Sequence, residues 1–206
     1  MTRAVPRAFF NRPSVEVAPD LLGCVIEHRT PDGAVGVRLT EVEAYQADGD
    51  PASHAFRGQT PRNSVMFGDP GFSYVYFTYG MHFCMNLVCA AAGTAAAVLL
   101  RAGEVVDGVE LATDRRGGAA FRDLARGPAR LTVALGITGV DNGIDVCARS
   151  SPVKIRAAGP VRGRILTGPR VGVAVGAKTP WRFWLDGEPT VSVYRPHVPK
   201  RRKANP

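Results

Sequence analysis

The sequence predicts a single α+β domain built on a mostly antiparallel β-sheet, and three observations point there. Short apolar segments separated by turn residues recur along the chain, while helical patterning is confined largely to the middle. Strands and helices do not alternate as a parallel α/β fold would require. The 206 residues contain no repeat and no low-complexity linker, which suits one domain over residues 1–196 followed by a basic tail at 197–206.

Taken in order, residues 21–28 and 34–44 read as paired strands, because Pro31, Asp32 and Gly33 between them are turn formers. Residues 74–79 and 82–89 read as a second pair joined near Gly80. The Ala- and Gly-biased stretch 90–97 reads as a loop feeding a strand at 97–102. Asp107 is a candidate cap for a helix reaching about Arg116. Residues 121–135 are helical in pattern, with an interruption at Gly127 and Pro128. Segments 153–157, 170–175, 183–185 and 191–194 read as later strands.

Composition narrows the function. The hydrophobic share of 45% supports a sizeable core, and no apolar run is long enough to span a bilayer. The N-terminal residues lack the apolar core of a signal peptide, so a cytoplasmic protein is expected. A net charge of +8 suggests a polyanionic partner, although many basic proteins bind nothing anionic, and coding bias alone would explain the excess of arginine over lysine. Cys24, Cys84, Cys89 and Cys147 form no C-x-x-C pair, and no ligand spacing around the four histidines suggests zinc. No metal or cofactor is expected.

Two stretches carry chemistry. In Val35-Gly36-Val37-Arg38-Leu39-Thr40 the odd positions are apolar and should face the core. Continued without a bulge, that face carries Glu41, Glu43 and Tyr45, and carboxylates on a buried face are costly unless paired or functional. Alternatively, the strand ends or twists at Thr40 and both glutamates are solvated. The second stretch, residues 71–86, is dense in aromatics: Tyr74 and Tyr76 share a strand face, and Tyr79 sits beside the turn at Gly80. Tyrosines fill half-buried sheets, and they also stack on nucleic-acid bases. The loop before it, Arg57-Gly-Gln-Thr-Pro-Arg62-Asn63, suits phosphate contact or any exposed loop.

Together, Glu41-Val-Glu43-Ala-Tyr45, Asp50-Pro-Ala-Ser-His54, Gln59-Thr-Pro-Arg-Asn63-Ser-Val-Met-Phe67, residues 74–86 and Val98-Leu-Leu-Arg101-Ala closely resemble the alkyladenine DNA glycosylase (3-methyladenine-DNA glycosylase) family. Weaker echoes follow at residues 127–131, 169–173 and 180–183, so the likeness runs from about Phe9 to Tyr194. The compact length resembles bacterial members. The resemblance implies a curved sheet with flanking helices and a protruding hairpin that inserts into DNA. It implies a monomeric enzyme of the nucleoid that needs no cofactor and no membrane. Its partner would be double-stranded DNA containing damaged purines, and downstream abasic-site repair enzymes would take the product.

By the same resemblance, Glu43 matches the general base that activates water, and Arg101 an arginine that holds that water and the glutamate. Tyr45, His54 and Tyr76 match a sandwich around an extruded base, with Ala52 and Val171 bringing backbone close to it. Asn86 matches a residue that disfavours guanine. Tyr79 matches a wedge entering the duplex, with Met66 and Met81 near it, and Arg62 and Asn63 match a loop facing the DNA backbone. The implied substrates are 3-methyladenine, with hypoxanthine and ethenoadenine as further candidates. His82, where some relatives carry an aromatic, and a shortened loop after His54 leave the damage spectrum open. His54 is a candidate acid for neutral lesions, or serves only in stacking and hydrogen bonding. No lysine lies in the motif region, which argues for hydrolysis without strand nicking. The rival is a binding module without catalysis, which has no use for a desolvated carboxylate facing an anionic ligand.

Overall fold

One long strand organises the molecule. In a computed structural model describing residues 4–78, 80–157, 161 and 163–198, β2 (Gly33–Gln46) is shared by three neighbours. Along one edge it pairs with β5 (Ala96–Asp107). Along the other it pairs first with β1 (Val25–Thr30) and then, at Glu41 to Glu43, with β8 (Arg182–Leu185). Outside β5 lie β4 (His82–Cys89) and β3 (Ser73–Thr78); outside β1 lies β6 (Val153–Arg156). The strand β7 (Ile165–Gly168) pairs with β8. Every pairing is antiparallel, and the branched sheet curls into a half-barrel, as the α+β expectation required.

Four helices accompany the sheet among the described residues: α1 (Arg7–Phe10), α2 (Ser14–Leu21), α3 (Val109–Arg115) and α4 (Pro128–Leu135). The main core joins Phe10, Val17 and Leu21 from the N-terminal helices and Leu131 and Leu135 from α4 to Val35, Val37, Leu39, Leu87 and Leu100 of the sheet. Pro128 starts α4 at its first turn, where no amide partner is lost, and Gly136 in the left-handed region ends it. Two expectations fail, one at α3 and one at the end of α2. Asp107 does not cap it but closes β5 and pairs with Arg156 at 2.5 Å; the cap position is Gly108, at φ 68°, where a Cβ would strike the Ala34 carbonyl. Residues 21–24 are not strand: Leu21 ends α2.

The strand phase of β2 changes partway along. Val35, Val37 and Leu39 face the main core as the alternation predicts, but register shifts then flank Glu41. Leu39 pairs with Gly103, Glu41 with Ala102 and Val42 with Leu100, so Thr40 on β2 and Arg101 on β5 are each an extra residue. An extra residue moves the following side chains to the opposite face. Val42 and Ala44 therefore take the core side, and Glu41, Glu43 and Tyr45 turn to the other. The expectation that an unbroken odd face places the glutamates towards the core is corrected. The alternative of two solvated glutamates fails as well, because neither has exposed surface. Gly103 permits the crowded bulge, since a Cβ there would overlap the Arg38 carbonyl and the Val37 side chain.

Candidate active site

On the face opposite the main core, one register row crosses five strands: Tyr74, Asn86, Leu99, Glu43 and Arg182. A cavity of about 360 Å³ opens beside it, lined by Tyr45, Ala52, His54, Met66, Tyr74, Tyr76 and Asn86. Its aromatic walls brace one another. The His54 and Tyr76 rings meet edge-on at 4.6 Å, and His54 Nδ1 lies 3.0 Å from the Tyr74 hydroxyl. Asn86 Nδ2 donates to the Tyr74 carbonyl at 3.0 Å, which fixes its amide against the wall. Burial, then the nearby Arg62 charge, lower the His54 pKa, so its imidazole is neutral at pH 7.

Glu43, 0% exposed, sits beside this cavity. Its Oε2 accepts the Tyr45 hydroxyl at 2.8 Å and an Arg101 guanidinium N–H at 3.4 Å; its Oε1 accepts the Val171 amide at 2.7 Å. A carboxylate offers about four acceptor positions, so these contacts leave room for one more donor. Burial and then the Glu43 charge push the Tyr45 phenol well above its ordinary pKa, so it remains a donor.

Behind Glu43, Glu41 is held by Arg101 Nε at 2.9 Å, Arg182 Nε at 2.7 Å, and the Ser192 amide and hydroxyl at 2.6 and 2.9 Å. Burial alone would raise its pKa. Arg101, Arg182 and the Ser192 donors outweigh burial and hold it below the usual carboxylate value. Burial likewise opposes the charge on Arg101, but Glu43 and Glu41 more than compensate, and its pKa rises.

Two of Glu43's donors also line a second cleft. Arg101 and Val171 border it together with Asp123, Arg126, Arg130, Ser192, Val193 and Arg195, around about 880 Å³. Glu43 thus lies between an aromatic cavity and a cleft rich in arginine.

The structure brings Glu43, Arg101, Tyr45, Ala52, His54, Tyr76, Asn86 and Val171 together. Met66, expected near the wedge, is buried in the cavity wall. Asn63, expected at the DNA backbone, is buried too: its Nδ2 donates to the His54 and Gly58 carbonyls at 2.9 and 3.1 Å, and the Thr60 amide donates to its Oδ1. Its side chain shapes the loop that carries His54. Arg62 is exposed, 5.7 Å from the Tyr76 ring, and donates to the Phe77 carbonyl. Met81, 69% exposed, follows the turn at Gly80. Tyr79 and the tail from residue 199 onward lie outside the described residues.

Sequence reasoning missed the roles of Asp50, Arg170, Arg182 and Ser192 and the cleft arginines. Arg170 and Asp50 meet across 120 positions, and no local spacing announces such a pair. Among the described residues, no group of three or more His, Cys, Asp or Glu converges as a metal set, and no helix is long and apolar enough to cross a membrane.

The family model for methylpurine-DNA glycosylase matches residues 8–189. A relative from Streptomyces avermitilis is 54% identical, covering 96% of this chain and 94% of its own. One from Leifsonia xyli subsp. xyli is 52% identical over 96% of each, and one from Mycobacterium bovis is 51% identical over 88% and 89%. All three are provisionally named 3-methyladenine DNA glycosylases. With the match spanning nearly the whole chain, the protein belongs to the methylpurine-DNA glycosylase family.

Proposed function

We propose that this chain excises 3-methyladenine from duplex DNA by extruding the nucleotide and hydrolysing its N-glycosidic bond. The observation that carries the reading is the position of Glu43 between an aromatic cavity and an arginine-lined cleft. A nucleotide has an aromatic end and an anionic end, and its glycosidic bond lies between them. With the base among Tyr45, His54 and Tyr76 and the sugar-phosphate towards Arg126, Arg130 and Arg195, that bond would fall beside Glu43.

Extrusion costs a few kcal/mol of lost stacking and pairing. Stacking in the cavity offsets part of it. Tyr79, with the exposed Met81 beside it, would offset more by filling the gap in the duplex. A water donating to the remaining acceptor position of Glu43 would attack the anomeric carbon. Its proton passes to Glu43, and the electron pair of the C–N bond leaves with the base. The carboxylate also favours positive charge on the sugar. Alkylation at N3 makes the adenine a good leaving group without an acid. His54, neutral at pH 7, fits stacking and hydrogen bonding better than proton donation. Neutral lesions such as hypoxanthine and ethenoadenine should therefore react more slowly. Asn86, fixed in the wall, would crowd the exocyclic amine of guanine.

Among the described residues, none that lines the cavity is a lysine, which favours hydrolysis over an imine intermediate. The protein would act as a monomer on the nucleoid and leave an abasic site for downstream enzymes. Incubation with a 3-methyladenine duplex should release free base and leave a strand that breaks only after alkali. Borohydride trapping of a covalent protein–DNA adduct would contradict the hydrolytic reading. Binding of lesion DNA without release would favour a non-catalytic binder, against which the buried Glu43 already weighs.

A further inference from the structure

We infer that Arg170, locked to Asp50, is a positioning residue that sets Glu43 against the base cavity; the inference rests on the hydrolysis proposed above. Arg170 is 1% exposed and lines neither cavity. Its fork grips Asp50 through two bonds of 2.7 Å, and it also donates to the Ala44 carbonyl at 3.0 Å. Its guanidinium lies 4.6 Å from the Tyr45 ring centroid and 5.3 Å from that of Trp181.

These contacts reach three separate parts of the site. Ala44 is the residue between Glu43 and Tyr45, so the bond to its carbonyl holds β2 at that step. Val171, the next residue after Arg170, gives its amide to Glu43. Asp50 accepts the amides of Gln46 and Ala52, each at 3.2 Å, and so anchors the loop that carries Ala52 and His54. One ion pair therefore ties the base, the donor to the base and the cavity wall to a common point. A buried pair is weak evidence for stability, because well-packed apolar residues often do as well. Its planar fork is suited to fixing orientation, and a lysine cannot reproduce that fork or the ring contacts.

The test compares wild type with Arg170→Lys, Arg170→Met and Asp50→Asn. It measures thermal unfolding, equilibrium binding to a 3-methyladenine duplex and single-turnover base release. At a temperature where the variants are folded, release should fall by about tenfold to hundredfold, since small displacements of reacting groups cost that much. Affinity should fall much less than the rate, because neither Arg170 nor Asp50 lines the cavity or the cleft. Release within about threefold of wild type in a folded variant overturns the inference. So does a loss of affinity equal to the loss of rate, which marks a general structural role. If the Arg170 variants do not fold, Asp50→Asn decides, because it keeps the shape of the pair and removes one charge. A wild type that binds but releases nothing would instead overturn the proposed function, and this inference with it.

Discussion

Glu41 and Glu43 stand two positions apart on β2, and neither has exposed surface, yet their surroundings assign them different roles. Four donors hold Glu41, two of them from arginines, which makes it the counter-ion that fixes Arg101 and Arg182. Glu43 accepts three and keeps an acceptor position for a further donor. Removing the Glu41 charge should leave two buried guanidinium groups poorly compensated. We expect Glu41→Gln to cost about 3–5 kcal/mol of stability near neutral pH. The pH dependence follows from the direction of its shift. A carboxyl whose folded pKa lies below its unfolded value of 4.5 contributes stability above that value, and the contribution is lost as pH falls through the folded pKa. The thermal stability of wild type should therefore fall at pH values below the usual carboxylate range. The Glu41→Gln curve should be flatter there; equal slopes would contradict the assignment.

At the scale of elements, the paired bulges between β2 and β5 turn an ordinary antiparallel ladder into a site. They aim Arg101 at both glutamates and move Tyr45 to the cavity face. Gly103→Ala should force the strands apart at this point and destabilise the fold by about 1–3 kcal/mol, as overpacking does. Base release should also fall in the variant, because Arg101 sits two residues away; full activity with unchanged stability would show that the close approach is unimportant. The central strands were legible from alternation and turn residues, as at Pro31 to Gly33. The bulges were not, because a bulge is a property of two strands. Residues 170–175 and 191–194 carry strand-like composition but form no strand. Their backbone groups are engaged by side chains instead: the Val171 amide by Glu43, the Ser192 amide by Glu41 and the Val191 carbonyl by Arg126. Left-handed Gly172 breaks the first of these segments. The helix α2 is not legible in the sequence, because Pro19 lies inside it.

For the whole molecule, the sheet separates two kinds of surface. One face buries the main core under the helices; the other presents the row from Tyr74 to Arg182 with the two cavities on either side of Glu43. The motif residues of the site were legible through family resemblance, which named Glu43, Arg101 and the cavity wall. The Arg170–Asp50 anchor and the cleft arginines needed the fold, because each joins segments distant in sequence. The proposed hydrolysis turns on Glu43 acting as the base between those cavities. Its most direct test is single-turnover release from a 3-methyladenine duplex by wild type and Glu43→Gln, with duplex binding measured alongside. Wild type should release the base. The variant should bind with similar affinity and lose at least about a hundredfold in rate, within the range of general-base catalysis. Release by Glu43→Gln at the wild-type rate would contradict the account.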